Sequence, residues 1–248
     1  MSGHSKWAQI KRQKGVADAK RGQLFTKLGR ELTVAARDGA DPTANARLRM
    51  ALLRAREANM PHDTIDRAIK RGSSAGDGAN YQEITYEGYG PGGTAVLVHV
   101  MTDNRNRSAA EIRSTFSRNG GNLGETGCVG WLFENKGIIS VETNGHDPDE
   151  LALQAIDAGA EDVQVSDDVV EIYTDVGDLE SVRGRLESNN IHVADASVNM
   201  IPKTTVELDE RATEQVFRLV ERLEELDDVQ NVFTNTEISD EVAARLVG

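Results

Sequence analysis

The apolar residues of this chain change their repeat at a Gly/Ser-rich stretch, residues 72–78, and that change limits the folds open to it. Before it they recur at helical spacing: Leu24, Phe25, Leu28, Leu32, Ala35 and Ala36, then Leu48, Ala51, Leu52 and Ala55, then Ile65, Ala68 and Ile69. The first run predicts a helix over 20–37 that stops at Gly39. The second begins at the cap Asp41-Pro42 and ends before Met60-Pro61, and a short third stops at Gly72. Three amphipathic helices joined by short turns make a small bundle.

Past the stretch, runs with the strand repeat alternate with helices. Strands are predicted over 81–89 and 94–101, around Gly88-Tyr-Gly-Pro-Gly-Gly93, and a further strand over 128–134. Between them a helix over 107–119 has capping-box spacing at Ser108 and Glu111 and a stop at Asn119-Gly120-Gly121. From Gly137 the order is strand 138–142, helix 148–158, strands 163–165 and 169–174, helix 179–188, strand 194–200. That is βαββαβ, the ferredoxin-like split unit. The preceding ββαβ piece lacks a covering helix and a strand, and both occur downstream, at 210–226 and 229–235. The expected fold is therefore α+β: an N-terminal three-helix domain (1–78) followed by two α/β domains. The second of these, ferredoxin-like (136–202), is inserted into the first (79–135 plus 203–248).

Charge is divided along the same line. Residues 1–80 carry 16 Lys+Arg against 8 Asp+Glu, a net of +8, whereas the other 168 carry 12 against 33, a net of −21. A cationic head on an anionic body points to a polyanionic partner, because a local basic patch steers phosphates whatever the rest of the molecule carries. At helical spacing Lys20, Lys27, Arg30 and Arg37 fall within roughly a 100° arc facing away from the apolar stripe. Ahead of them Lys6, Lys11, Arg12 and Lys14 crowd a segment that holds Trp7. Basic residues around an aromatic grip a phosphate backbone while the ring stacks on a base, although Trp7 serves equally well as a plug against the bundle. The candidate nucleic-acid contacts are Lys6, Trp7, Lys11, Arg12, Lys14, Lys20, Arg21, Lys27 and Arg30. Arg47, Arg49, Arg54 and Arg56 read as snorkelling beside the second helix's core. Arg105 and Arg107 are secondary candidates: set at a helix start they oppose its dipole, so either Asp103 and Glu111 or an arriving phosphate offsets them.

Signatures of catalysis are missing. His4, His62, His99, His146 and His192 are dispersed, and the glycine-rich loops at 88–93 and 120–127 lack a Gly-Lys-Ser/Thr ending and read as turns. Cys128 is the single cysteine, which rules out an intrachain disulfide and a Cys-based zinc site. No metal, cofactor or enzymatic activity is expected. The absence of an apolar leader and of a bilayer-length apolar run predicts a cytoplasmic protein with no membrane partner.

Several longer motifs carry a resemblance: Gly3-His-Ser-Lys-Trp7, Asp18-Ala-Lys-Arg-Gly22 with Phe25-Thr-Lys27, Ala58-Asn-Met-Pro61, Tyr86-Glu-Gly-Tyr-Gly-Pro-Gly-Gly93, Thr102-Asp-Asn-Arg-Asn-Arg107 and Gly120-Gly-Asn-Leu-Gly-Glu-Thr-Gly127. In this order they resemble, nearly end to end, the YebC/PmpR family of bacterial regulatory proteins, whose relatives include the mitochondrial translational activator of cytochrome oxidase. Gln13 and Gly15 depart from a stretch that is often more basic and alanine-rich in that family. The resemblance implies a helical domain plus two α/β domains, one inserted in the other, without catalytic activity. It also implies a regulator of gene expression, either a DNA-binding transcriptional regulator or a ribosome-associated factor that relieves translational stalls. The implied partners are DNA, ribosomal or transfer RNA, and the ribosome. A reading from another class is a small-molecule-sensing module built on paired ferredoxin-like units.

Overall fold

The computed structural model describes residues 21–74, 80–165, 169–239, 242 and 245. Its first helices are α1 (Arg21–Ala35), continued by a 3₁₀ turn at Ala36–Asp38, α2 (Ala46–Glu57) and α3 (His62–Ser73). Their apolar stripes meet in one core that includes Leu28, Leu32, Leu48, Leu52, Met60 and Ile65. Two boundaries differ from expectation. The Asp41 carboxylate accepts from the Thr43 N–H and hydroxyl and closes a turn, so α2 starts only after Asn45, whose side-chain oxygen accepts the Leu48 N–H at 3.0 Å. The Asn45 amide in turn donates to the carbonyls of Ala35 and Gly39 at 2.7 and 2.8 Å, so one buried side chain joins the end of α1 to the start of α2. Gly72 does not stop α3. A Cβ there would lie 2.1 Å from the Thr33 carbonyl oxygen, so its missing side chain is what lets α3 lie against α1.

The following elements are β1 (Gln82–Tyr89), β2 (Ala95–Thr102), α4 (Arg105–Arg118), β3 (Asn122–Leu123), β4 (Phe133–Glu142), α5 (Pro148–Asp157), β5 (Asp162–Val165), β6 (Val169–Thr174) and α6 (Leu179–Ser188). After them come β7 (Val193–Pro202), β8 (Val206–Glu207), α7 (Glu210–Glu224), β9 (Val229–Thr234) and β10 (Thr236–Glu237). The architecture is mixed α+β. One sheet has the order β3-β1-β2-β9 and another β5-β6-β4-β7, while β8 and β10 form a short parallel pair. Both elements missing from the ββαβ piece arrive from downstream: β9 pairs with β2, and Leu219 and Leu223 of α7 share a core with Ile112 and Phe116 of α4. β2 is covered on both faces, Val96, Val98 and Val100 by these helices, Ala95 and Leu97 by Val129, Phe133 and Phe233. Its near-continuous apolar run follows from that double burial. In the second sheet each neighbouring pair is antiparallel, and the order is that of the split βαβ unit. α5 and α6 supply Leu151, Ala155, Val182 and Leu186 to its core.

Three local readings are corrected. The segment 128–134 is not one strand: a 3₁₀ turn occupies Gly130–Leu132, and β4 then runs unbroken from Phe133 to Glu142 along β7. Val129 and Phe133 are both buried across that turn while Trp131 is 67% exposed, so the turn has the apolar spacing of a strand. β3 lies in a stretch read as a turn, pairing Leu123 with Gly88 and Asn122 with Tyr89. The cap of α4 is Asn104, which accepts the Arg107 N–H at 3.1 Å; Ser108 is buried inside the helix.

Candidate nucleic-acid interface

Lys6, Trp7, Lys11, Arg12, Lys14 and Lys20 lie outside the described residues. Arg21 is exposed at the first turn of α1, and Arg105 is exposed at the first turn of α4. The structure places Lys27, Arg30 and Arg107 differently. Lys27 Nζ donates to the Glu224 carbonyl at 2.7 Å, and Arg30 donates to the Asp227 carbonyl and pairs with Asp228 at 2.8 Å. Arg37 donates to the Tyr81 carbonyl at 2.8 Å. Of the predicted ridge, Lys27 and Arg30 thus face the C-terminal end of α7, where free carbonyls and the helix dipole favour cations, whereas Arg37 meets the segment before β1.

Asp228 joins this contact to the start of α4. Its side chain accepts from Thr102 Oγ1 at 2.9 Å, Ser108 Oγ at 2.6 Å and Arg107 Nη2 at 2.8 Å, in addition to its pair with Arg30. Burial by itself would raise the Asp228 carboxyl; the Ser108, Arg107 and Thr102 donors, with the Arg30 charge, outweigh it and hold the group below its ordinary value. Arg107 also pairs with Asp103 at 2.8 Å, and the bonds to Asp228 and Asp103 raise its guanidinium above the usual arginine value. The acids that offset Arg107 are therefore Asp228 and Asp103, with Asp228 in the place expected for Glu111. Of the second-helix arginines, Arg47 pairs with Glu83, Arg54 pairs with Glu31 at 2.9 Å, and Arg49 donates to the Pro42 carbonyl at 3.0 Å.

Next to the Arg30–Asp228 contact, and sharing Arg30 with it, α1 and α3 flank a cleft of about 370 Å³. Phe25, Gly29 and Arg30 line it from α1, Thr64, Arg67 and Arg71 from α3, and Met60 and Tyr81 also contribute. Among the described residues, no Asp or Glu contributes to its lining. Arg67 is held along its helix by bonds to the Asp63 carbonyl (3.0 Å) and Thr64 Oγ1 (3.2 Å), and the Arg30 guanidinium sits 5.6 Å from the Tyr81 ring centre. Sequence reasoning missed Arg67 and Arg71, although Thr64, Arg67, Ala68 and Arg71 form an i, i+3, i+4, i+7 stripe that places them on one helical face. Among the described residues, no group of three or more His, Cys, Asp or Glu is placed to hold a metal ion, and no helix is long and apolar enough to cross a membrane.

The molecule is thus an α+β protein with a cationic helical head, tied through Arg30 to Asp228 beyond α7, and two antiparallel four-stranded sheets. Residues 5–75 match the family model described as the TACO1/YebC protein N-terminal domain, and residues 81–236 match that of the TACO1/YebC second and third domain. The chain belongs to the TACO1/YebC family. It is 56% identical over 246 residues to a probable transcriptional regulatory protein of Dehalococcoides mccartyi, covering 99% of this chain and 98% of the relative. A protein of the same description from Pelotomaculum thermopropionicum is 57% identical over 243 residues, covering 97% and 100%. The crystal structure of a conserved hypothetical protein from Aquifex aeolicus superposes with a TM-score of 0.83 at 47% identity, covering 90% of this chain and 93% of that one.

Proposed function

We propose that the chain is a non-enzymatic, nucleic-acid-binding regulator of gene expression whose helical head meets phosphates while the acidic α/β body positions or recruits. The observation that carries this reading is the partition of charge, +8 on residues 1–80 against −21 on the remainder. Its relatives' description as probable transcriptional regulatory proteins agrees with it. In this reading Lys6, Trp7, Lys11, Arg12, Lys14, Lys20, Arg21 and Arg105 make the contacts. Lys27 and Arg30 hold the head to the body, and Arg107 within the body orients the Asp228 that Arg30 meets; the body consists of an α/β host (79–135 plus 203–248) with the ferredoxin-like unit (136–202) inserted. The sequence of the head offers no recognition helix with evident base-reading side chains; backbone contact favours structured RNA, including the ribosome, over a DNA operator. The test is affinity for ribosomal RNA and for duplex DNA against salt. If about six phosphates are neutralised, affinity falls by roughly three orders of magnitude between 50 and 200 mM salt, and a flat response removes the reading. Co-sedimentation with ribosomes against retention of duplex DNA separates translation from transcription.

A further inference from the structure

We infer that the cleft between α1 and α3 takes one nucleotide of an unpaired nucleic-acid strand, with its phosphate between Arg67 and Arg71 and its base over Phe25 and Met60. The inference deepens the nucleic-acid reading of the same head and rests on it.

The lining joins the two chemistries a nucleotide needs. Arg67 and Arg71 stand one helical turn apart on an exposed face, and among the described residues the cleft wall holds no carboxylate to neutralise them. Neither arginine makes an ion pair among the described residues, unlike Arg30, whose charge Asp228 already offsets. Arg67 is fixed by its bonds to Asp63 and Thr64, so its fork is oriented before a ligand arrives. Phe25 of α1 and Met60 add apolar lining, Ala68 lies between the two arginines on α3, and Thr26 and Thr64 contribute hydroxyls. The volume, about 370 Å³, falls within the range of about 300–1,000 Å³ typical of small-ligand sites. A base held in a duplex stack cannot enter such a space, whereas an unpaired one can be splayed into it.

Three variants of the full-length protein test this. Gly29→Leu fills the cleft without changing charge, and the first carbon it adds, Cβ, would meet only Met60 Cε, at 3.8 Å. Arg67→Ala with Arg71→Ala removes the phosphate ligands. Lys70→Ala removes one exposed charge of the same helix that is not part of the cleft. Binding of a single-stranded RNA 12-mer and of the same sequence closed into a hairpin duplex is measured against salt, after melting curves establish that each variant is folded. Gly29→Leu is expected to weaken the unpaired strand about tenfold with an unaltered salt slope. The double variant weakens it at least as much and lowers the slope by one to two, and Lys70→Ala costs no more than about threefold. Duplex binding changes little in Gly29→Leu. Unpaired-strand affinity in Gly29→Leu equal to that of the unaltered protein, or a double variant that falls no further than Lys70→Ala does per charge removed, overturns the cleft assignment and leaves the nucleic-acid reading standing. If the unaltered protein binds neither RNA in a salt-dependent way, that reading and the cleft assignment fail together.

Discussion

Glu87 carries a charge into the interior of β1 and is held there by backbone alone. Its carboxylate accepts the N–H groups of Gly127 at 2.7 Å, Val129 at 2.8 Å and Gly130 at 2.5 Å, pinning the loop that leads into the 3₁₀ turn before β4. Burial would raise this carboxyl, but the three donors together outweigh it and hold the group below its ordinary value. In Glu87→Gln the amide can turn an acceptor to one oxygen position only, leaving an NH₂ against the remaining N–H donors. The expected loss is about 2–3 kcal/mol of unfolding free energy, read from urea midpoints. Glu87 and Asp228 are both depressed in the fold, so over a window below the ordinary carboxylate range the unfolded chain binds more protons than the folded one. Their contribution is complete above about pH 4–5 and is lost as pH falls through the folded values. Stability should therefore fall less steeply on acidification in Glu87→Gln than in the unaltered protein, which urea titrations between pH 6 and 3 would show. Neither role is visible in the sequence. Glu87 sits inside the Tyr86–Gly93 motif with nothing to mark its loop partners some 40 residues on, and Asp228 follows α7 as one acid among many.

Helical spacing gives the direction in which a side chain leaves its helix but not what stands there. What Lys27 and Arg30 of α1 meet is the end of α7, a contact about 200 residues distant in sequence. For the same reason the cleft arginines were readable as a face of α3, and the cleft itself was not, because its opposite wall belongs to α1. Element identity was easier where the repeat was strong: β6 and α6 fall on the expected residues, and in α7, also expected, Asp209 supplies a cap through the Ala212 N–H at 2.7 Å. The misread turn before β4 is the reverse case, two buried residues bridging an exposed tryptophan. Two predictions belong to elements. If Arg30 and Asp228 hold α1 to the body, Arg30→Ala and Asp228→Ala should be non-additive, with a coupling of about 1–2 kcal/mol in a double-mutant cycle of urea unfolding. Strict additivity would assign the contact no energetic role. Gly72→Ala sets two effects against each other: helix propensity favours alanine by about 1 kcal/mol, whereas the clash with the Thr33 carbonyl forces α1 and α3 apart at about 1–3 kcal/mol or more. Since the clashing atom is backbone and cannot rotate aside, the variant should melt at a lower temperature than the unaltered protein.

At the scale of the whole molecule two electrostatic descriptions make opposite forecasts. Taken as a sphere of net charge −13, the protein repels a nucleic acid, and added salt should speed their association by screening that repulsion. Taken as a cationic head on an anionic body, it attracts the strand at the head, and added salt should slow association. Screening decides between them. At 0.1 M ionic strength the Debye length is about 10 Å, shorter than the helical head itself, so a strand approaching the head senses the nearby cations far more than the distant acids. The body's charge is not idle in this picture: it disfavours wrong orientations, so encounters are steered toward one end. The association rate constant for a single-stranded RNA, measured by stopped-flow fluorescence between 50 and 300 mM salt, is therefore expected to fall monotonically. At the lowest salt, where the Debye length lengthens, the slope should flatten as the body's repulsion begins to reach the strand. A rate that rises with salt across the whole range would mean that net charge governs the encounter, and the head would lose its standing as the approach face.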